Sequence, residues 1–127
     1  VYRAPGLRIS YLPQKTSHLR GTLSAYAEAL EIDESIFKSL LRKMDFERSQ
    51  LEKKMEDFSE GQKKKVLLAG SLCEKAHLYI WDEPLNFIDV ISRIQIEELL
   101  RTYQPTLLFV EHDAAFRKNV ASRIVEL

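Results

Sequence analysis

Two adjacent carboxylates near the middle of the chain are the residues best placed to do chemistry. The apolar run Leu78 to Trp81 is followed directly by Asp82 and Glu83. Charges at the end of a buried strand are costly to remove from water, so two adjacent carboxylates there need an explanation. A carboxylate can hold Mg²⁺, and its neighbour can polarise an attacking water as a general base. Asp82 and Glu83 are therefore candidates for such chemistry, although acidic residues are also favoured where a strand meets a helix N-terminus.

A second group, with the sequence FSEGQK, opens a helical pattern. Ser59 lies three residues before Gln62, a spacing that predicts a capping box. The unpaired N–H groups and the dipole of a helix N-terminus together favour an anion such as a phosphate. Gly61 would let the backbone approach that phosphate closely. An ordinary capping box without a ligand explains the same residues, so both interpretations stay open.

Two further polar residues each follow a predicted strand. Gln14 comes after the run LRISYLP, and its neutral amide is able to ligate Mg²⁺ or water. His112 comes after TLLFVE, where an imidazole is able to hydrogen-bond a γ-phosphate and orient water. A lone histidine or glutamine is more often structural, so neither residue carries the assignment alone.

The elements that must position these residues alternate between strands and helices. Apolar runs bounded by turn residues predict strands, and spacings of three to four predict helices. The predicted strands are 7–12, 77–81, 106–110 and 122–127. The predicted helices lie within 23–55, where Asp33 marks a start and 47–56 is a solvated helix, and at 59–72, 91–103 and 114–120. This order predicts an α/β fold with parallel strands and right-handed crossovers. Ligands in such sheets bind at the carboxyl ends of the strands, where Gln14, Asp82, Glu83 and His112 would converge.

The bulk properties exclude several classes of protein. Nineteen basic and nineteen acidic residues leave no net charge to attract nucleic acid or an acidic membrane, and the tightest basic run is Lys63 to Lys65. The single cysteine, Cys73, fits a buried structural thiol in a reducing cytosol. No apolar run approaches the ~20 residues that span a bilayer, and no secretory signal begins the chain. We expect a cytoplasmic protein with no membrane insertion, of which this chain, starting at Val1, is one piece.

Taken together, five motifs occur in the order found in ATP-binding cassette (ABC) ATPases. They are Gln14, FSEGQ, LYIWDE, the turn from Pro84 to Asp89, and His112. By this resemblance they are the Q-loop, the signature motif, the Walker B strand with its catalytic glutamate, the D-loop and the switch histidine. The resemblance implies ATP and Mg²⁺ as ligands. It implies catalytic roles for Glu83 and His112, metal contacts from Asp82 and Gln14, and nucleotide contacts from Gln14, Ser59, Glu60, Gly61, Gln62 and Asp89.

The same resemblance implies a fold and its divisions. The fold is a P-loop NTPase-like parallel sheet, lacking the strands that precede the Q-loop in the family, with an inserted α-helical subdomain. Residues 1–15 would hold the Q-loop strand and 16–58 the helical subdomain. Residues 59–127 would hold the signature helix, the Walker B strand, the D-loop and the switch histidine.

Finer features resemble the second cassette of the ABC-F antibiotic-resistance proteins, which protect the ribosome. The chain carries FSEGQKKKVLLA, HLYIWDEPLNFID and FVEHD, with Asn86 where that subfamily typically has its asparagine. Glu60 departs from the usual glycine of the signature and places a carboxylate near the expected phosphate. The implied partners are a second cassette of the same protein and the ribosome. Two alternatives remain, namely the ATP-binding subunit of a membrane ABC transporter, and a non-catalytic module that docks a partner through residues 24–57.

One expected element is missing from the sequence. The phosphate-binding pattern G-x-x-x-x-G-K-[ST] does not occur among the 127 residues. Without its backbone cradle and lysine, we expect this chain alone to have no ATPase activity and at most very weak nucleotide binding. The absence of the preceding strands would also expose sheet edges, so we expect the isolated chain to self-associate.

Overall fold

The computed structural model describes residues 8–13, 15–85, 87–103 and 107–110, with side chains as far as Thr102. Its sheet has three parallel strands, β1 (Ile9–Leu12), β2 (Leu78–Asp82) and β3 (Leu107–Val110), in the order β1-β2-β3. Leu12 lies opposite Trp81, and Asp82 lies opposite Val110. The carboxyl ends of all three strands therefore share one edge, which confirms the predicted parallel α/β sheet.

In the part of the chain that the structure describes, four α-helices accompany the sheet, namely α1 (Leu23–Leu30), α2 (Glu34–Lys43), α3 (Glu60–Cys73) and α4 (Val90–Tyr103). All four begin at a side chain that accepts a hydrogen bond from the first turn, and for α4 this side chain is Asp89. Thr22 caps α1, Asp33 caps α2 and Ser59 caps α3. The starts predicted at Asp33 and Ser59 are thus confirmed. Among the described residues, no helix is long and apolar enough to cross a membrane.

The prediction of a solvated helix over 47–56 is wrong. The chain there forms a turn and two short 3₁₀ helices, Gln50–Glu52 and Met55–Asp57. A short helix in water needs an apolar face to bury, and this charged stretch offers only Leu51 and Met55. Met55 is instead fully buried, and its N–H donates to the carbonyl of Gly21 at 2.8 Å. The segment therefore closes against the loop before α1.

Helix α3 runs through the centre of the molecule. Every residue from Lys64 to Ser71 is buried, and the helix packs against β1 and α2. Two lysines of the Lys63–Lys65 run are consequently inside, so the run forms no surface basic patch. Cys73, at the end of α3, is half-buried rather than fully buried. The helix predicted at 114–120, the strand at 122–127 and the residues Gln14, Asn86 and His112 lie outside the described residues.

Candidate functional site

The carboxylate pair lies where β2 ends. Asp82 is the last residue of the strand and is half-buried, while Trp81 before it is fully buried. Glu83 follows in a left-handed backbone conformation, with φ of 46°. Non-glycine residues rarely adopt this conformation outside turns and functional sites. The chain therefore turns sharply at Glu83, immediately beyond the edge where the three strands end.

A buried polar network holds β2 beneath this pair. The indole Nε1 of Trp81 donates to Ser71 Oγ at 2.9 Å, and Ser71 Oγ lies 2.7 Å from Ser10 Oγ. Ser10 in turn donates to a carboxylate oxygen of Glu74 at 3.0 Å. Burial raises the pKa of the Glu74 carboxyl, although the Ser10 hydrogen bond partly opposes this. The network ties β1, β2 and the end of α3 together, and no sequence pattern indicated it.

The N-terminus of α3 has the predicted capping box. Ser59 Oγ accepts from the Gln62 N–H at 3.1 Å, and Gln62 Oε1 accepts from the Ser59 N–H at 2.9 Å. Ser59 is exposed, so its position is open to a ligand. A hydroxyl that accepts one hydrogen bond retains a hydrogen to donate. The capping role and a phosphate contact are therefore compatible in the same side chain.

Glu60 is turned toward the loop that follows β1. One carboxylate oxygen accepts from the buried Thr16 hydroxyl at 2.6 Å, and the other lies 3.8 Å from Lys63 Nζ. A carboxylate satisfied in this way repels an approaching phosphate less than a free one. Glu60 also fastens the loop after β1 to α3, a contact between residues far apart in sequence.

Gly61 is needed for a reason that the sequence did not show. A Cβ at this position would lie 2.5 Å from the carbonyl oxygen of Phe87, closer than such atoms can approach. Phe87 itself has φ of 68°. The first turn of α3 and the backbone of the turn after β2 are therefore in direct contact at Gly61. The sequence predicted that the Gly61 backbone closely approaches a phosphate, whereas the structure shows it against the Phe87 carbonyl.

Asp89 ends this turn and caps α4. Its carboxylate accepts from the Ser92 N–H at 3.0 Å and the Ser92 hydroxyl at 2.9 Å, and it lies 3.2 Å from Lys65 Nζ. Burial acts to raise the pKa of Asp89, but the Ser92 hydrogen bonds and Lys65 outweigh it and lower the pKa to about 2. Asp89 was predicted to contact nucleotide, and the structure gives its carboxylate these partners within the chain.

An open cavity of about 730 Å³ lies beside the N-terminus of α3. Lys15 and Arg20 line it from the loop after β1, Glu60 and Lys63 from α3, and Phe87 from the turn after β2. Its volume lies within the ~300–1,000 Å³ range of small-molecule sites. Cations and carboxylates both face it, so the cavity has no single sign of charge.

The donor set at the end of β2 suits Mg²⁺. Within the described ranges, no three His, Cys, Asp or Glu side chains form a cage for a metal ion. Mg²⁺ in phosphoryl-transfer sites is commonly held by one or two carboxylates, with phosphate oxygens and waters completing the shell. Asp82 supplies such a carboxylate at the edge of the sheet. The chemistry of the residues present therefore fits the predicted ion.

The predicted site residues that the structure describes form two groups. Ser59, Glu60, Gly61 and Gln62 surround the start of α3, and Asp82 and Glu83 end β2. The turn that ends at Asp89 joins them, because it starts at Glu83 and contacts α3 at Gly61. Thr16 and Lys65 were missed because their partners Glu60 and Asp89 are far away in sequence. Ser92 was also missed, although it lies three residues after Asp89, a spacing typical of a helix cap.

Comparisons with known proteins identify the family. Residues 2–86 match the family described as "ABC transporter". The ribosome protection protein VmlR of Bacillus subtilis is 33% identical over 131 residues, covering 98% of this chain and 24% of that protein. The probable ATP-binding protein YbiT of Escherichia coli O157:H7 is 34% identical over 95 residues, covering 75% of this chain and 18% of that protein. The chain thus spans about a quarter or less of these relatives.

Solved structures show the same fold. The chain superposes with a TM-score of 0.74 on a chain from the complex of archaeal ribosomal stalk protein aP1 and ribosome recycling factor aABCE1. The two are 24% identical, and the match covers 96% of this chain and 25% of that one. The dimeric ABC transporter cassette MJ0796 also gives a TM-score of 0.74 at 19% identity, covering 90% of this chain and 56% of that one. The chain therefore belongs to the ABC transporter family.

Proposed function

We propose that this chain supplies one part of an ATP-hydrolysing site in a larger protein. The observation that carries the proposal is the arrangement of Asp82 and Glu83 at the carboxyl edge of a parallel sheet. A capped helix N-terminus lies across the Glu83–Asp89 turn from this pair, with Gly61 against the backbone of that turn. Membership of the ABC family, which rests on residues 2–86, supports the same chemistry.

The two groups of residues would serve different nucleotides. Asp82 and Gln14 would hold the Mg²⁺ that accompanies ATP, and the ion would supply charge neutralisation at the phosphates. Glu83 would accept a hydrogen bond from the attacking water and orient it toward the γ-phosphorus. His112 would hydrogen-bond the γ-phosphate. The resemblance assigns Ser59 and Gly61 to a second ATP, held by the phosphate loop of a partner cassette.

The test is steady-state ATP hydrolysis by the full-length protein that contains this chain. We expect Mg²⁺-dependent turnover, which Asp82→Asn lowers by about 100-fold or more, because the amide loses the charge that holds the ion. Lys38→Met is the matched control, since it removes an exposed ion pair with Glu34 on α2, away from both groups. Wild-type turnover in Asp82→Asn would show that Asp82 has no part in hydrolysis.

We further propose that the full-length protein acts on the ribosome in the cytoplasm, as an ABC-F protein does. The supporting observation is the similarity to VmlR, named a ribosome protection protein, over 98% of this chain. The experiment is sedimentation of the full-length Glu83→Gln variant with ribosomes in ATP or ADP. We expect it to sediment with ribosomes in ATP alone. Recovery in the membrane fraction with a membrane-spanning partner would instead support the transporter alternative.

A further inference from the structure

Lys65 is a lysine inside the protein, on the second turn of α3. Only 7% of the residue is exposed. Its Nζ lies 6.0 Å from the centre of the Phe46 ring and 3.2 Å from a carboxylate oxygen of Asp89. Taking an ammonium group out of water is costly unless a partner compensates it. The buried ammonium of Lys65 therefore depends on Asp89 for its charge partner, whereas Asp89 is also held by Ser92.

Asp89 is the far end of a short turn that begins at the proposed catalytic residue. The turn runs from Glu83 to Asp89, and residues near both its ends, Glu83 and Phe87, have left-handed backbones. Leu85 and Ile88 are buried within it, and the Ile88 N–H donates to the Leu85 carbonyl at 3.0 Å. Asp89 and Glu83 are six residues apart along the chain, so a displacement of Asp89 has a short covalent path to Glu83.

The same helix carries the residues proposed to meet the second nucleotide. Lys65 is six positions after Ser59 in α3, or roughly 9 Å along the axis at 1.5 Å per residue. Gly61, between them, touches the Phe87 carbonyl with no room for a side chain. Helix α3 thus contacts the Glu83–Asp89 turn at two points, through Gly61 and through the Lys65 ion pair.

We propose that Lys65 is a positioning residue that couples the nucleotide at the N-terminus of α3 to Glu83. When a phosphate binds at Ser59, the shift of α3 is passed through Lys65 to Asp89 and through the anchored turn to Glu83. Asp89 keeps its place on α4 through Ser92 without Lys65. Loss of the lysine therefore breaks the connection and leaves the helix cap intact. This inference rests on the proposed ATPase function.

The experiment is a double-mutant cycle in the full-length protein. Lys65→Met keeps the length and apolar contacts of the side chain and removes its charge, whereas Lys65→Arg keeps the charge. Asp89→Asn retains a capping side chain for Ser92 and removes the ion pair. Turnover number, KM for ATP and the Hill coefficient are measured for each variant, with Lys38→Met as an exposed ion-pair control.

We expect Lys65→Met and Asp89→Asn each to lower kcat about tenfold and to reduce the Hill coefficient toward 1, as a lost coupling does. The double variant should fall no further, and Lys65→Arg should recover most of the activity. Should Lys65→Met fail to fold, Asp89→Asn and Lys65→Arg decide the question. Additive losses, or a wild-type kcat and Hill coefficient in Asp89→Asn, would overturn the coupling role of Lys65 and leave the proposed ATPase function standing. A wild-type protein without ATP hydrolysis would overturn the proposed function itself.

Discussion

The most informative perturbation separates the observed capping role of Ser59 from the nucleotide contact that we propose for it. Ser59→Ala removes the oxygen that accepts the Gln62 N–H at 3.1 Å. Loss of such a cap costs about 1 kcal/mol of unfolding free energy. For a domain of this size that corresponds to a fall of about 3–6 °C in the unfolding midpoint. Ser59→Ala should therefore lose both stability and ATP turnover.

Thr22→Ala is the matched control for the stability loss. Thr22 caps α1 with the same geometry, its side-chain oxygen accepting from the Ala25 N–H at 3.1 Å. The expected cost is again about 1 kcal/mol, while α1 carries none of the proposed nucleotide contacts. Thr22→Ala should accordingly match Ser59→Ala in unfolding and match the wild type in ATP turnover per folded molecule.

Ser59→Asp should retain the stability of the wild type and lose ATP turnover, the reverse of Thr22→Ala. Aspartate is as good a helix cap as serine, so we expect the stability to stay within about 0.5 kcal/mol of wild type. A carboxylate about 4 Å from a phosphate charge is repelled by roughly 4 kcal/mol at an effective dielectric constant of 20. We therefore expect turnover to fall by more than about 100-fold. The assays are urea unfolding and steady-state ATP hydrolysis of the full-length protein. A stable Ser59→Asp variant with wild-type turnover would refute the nucleotide role of this helix end.

Three further predictions concern other residues. Titration of MgATP into the isolated chain should give no heat of binding, because the phosphate loop is missing from its sequence; micromolar affinity would contradict this. Burial, followed by the Asp33 and Glu74 charges, raises the pKa of the Cys73 thiol from 9.0 to about 11. A disulfide reagent at pH 8 should therefore modify it about tenfold more slowly than in the urea-unfolded chain. The pKa of Asp89 is lowered from 3.8 to about 2, so its contribution to stability is complete above about pH 5 and disappears as the pH falls through 2. The difference in unfolding free energy between wild type and Asp89→Asn should shrink over that interval, and a constant difference would contradict it.

The sequence predicted the features whose signals are local. The Ser59–Gln62 capping box depends on residues three apart, and the start of α2 at Asp33 depends on the first turn of that helix. Strand β2 follows from a continuous apolar run ending at a charge. The parallel arrangement followed from the alternation of strands and helices.

The contacts that join these elements were beyond the sequence patterns. Thr16 reaches Glu60 across 44 residues, and Ser10 reaches Ser71 across 61. The sequence shows Lys65 only as part of the basic run Lys63–Lys65, because its partner Asp89 belongs to another element. The helix predicted over 47–56 failed for a related reason, since packing of Met55 against the loop before α1 outweighed the weak local preference.

One substitution decides whether Glu83 is the catalytic base that we propose for the ATPase site. Glu83→Gln in the full-length protein keeps the size and hydrogen bonds of the side chain but removes its ability to accept a proton. We expect ATP turnover to fall by about 10²–10⁴-fold, while the protein retains bound, unhydrolysed ATP through gel filtration in Mg²⁺. Unchanged turnover, with ADP released at the wild-type rate, would show that Glu83 is not the catalytic base.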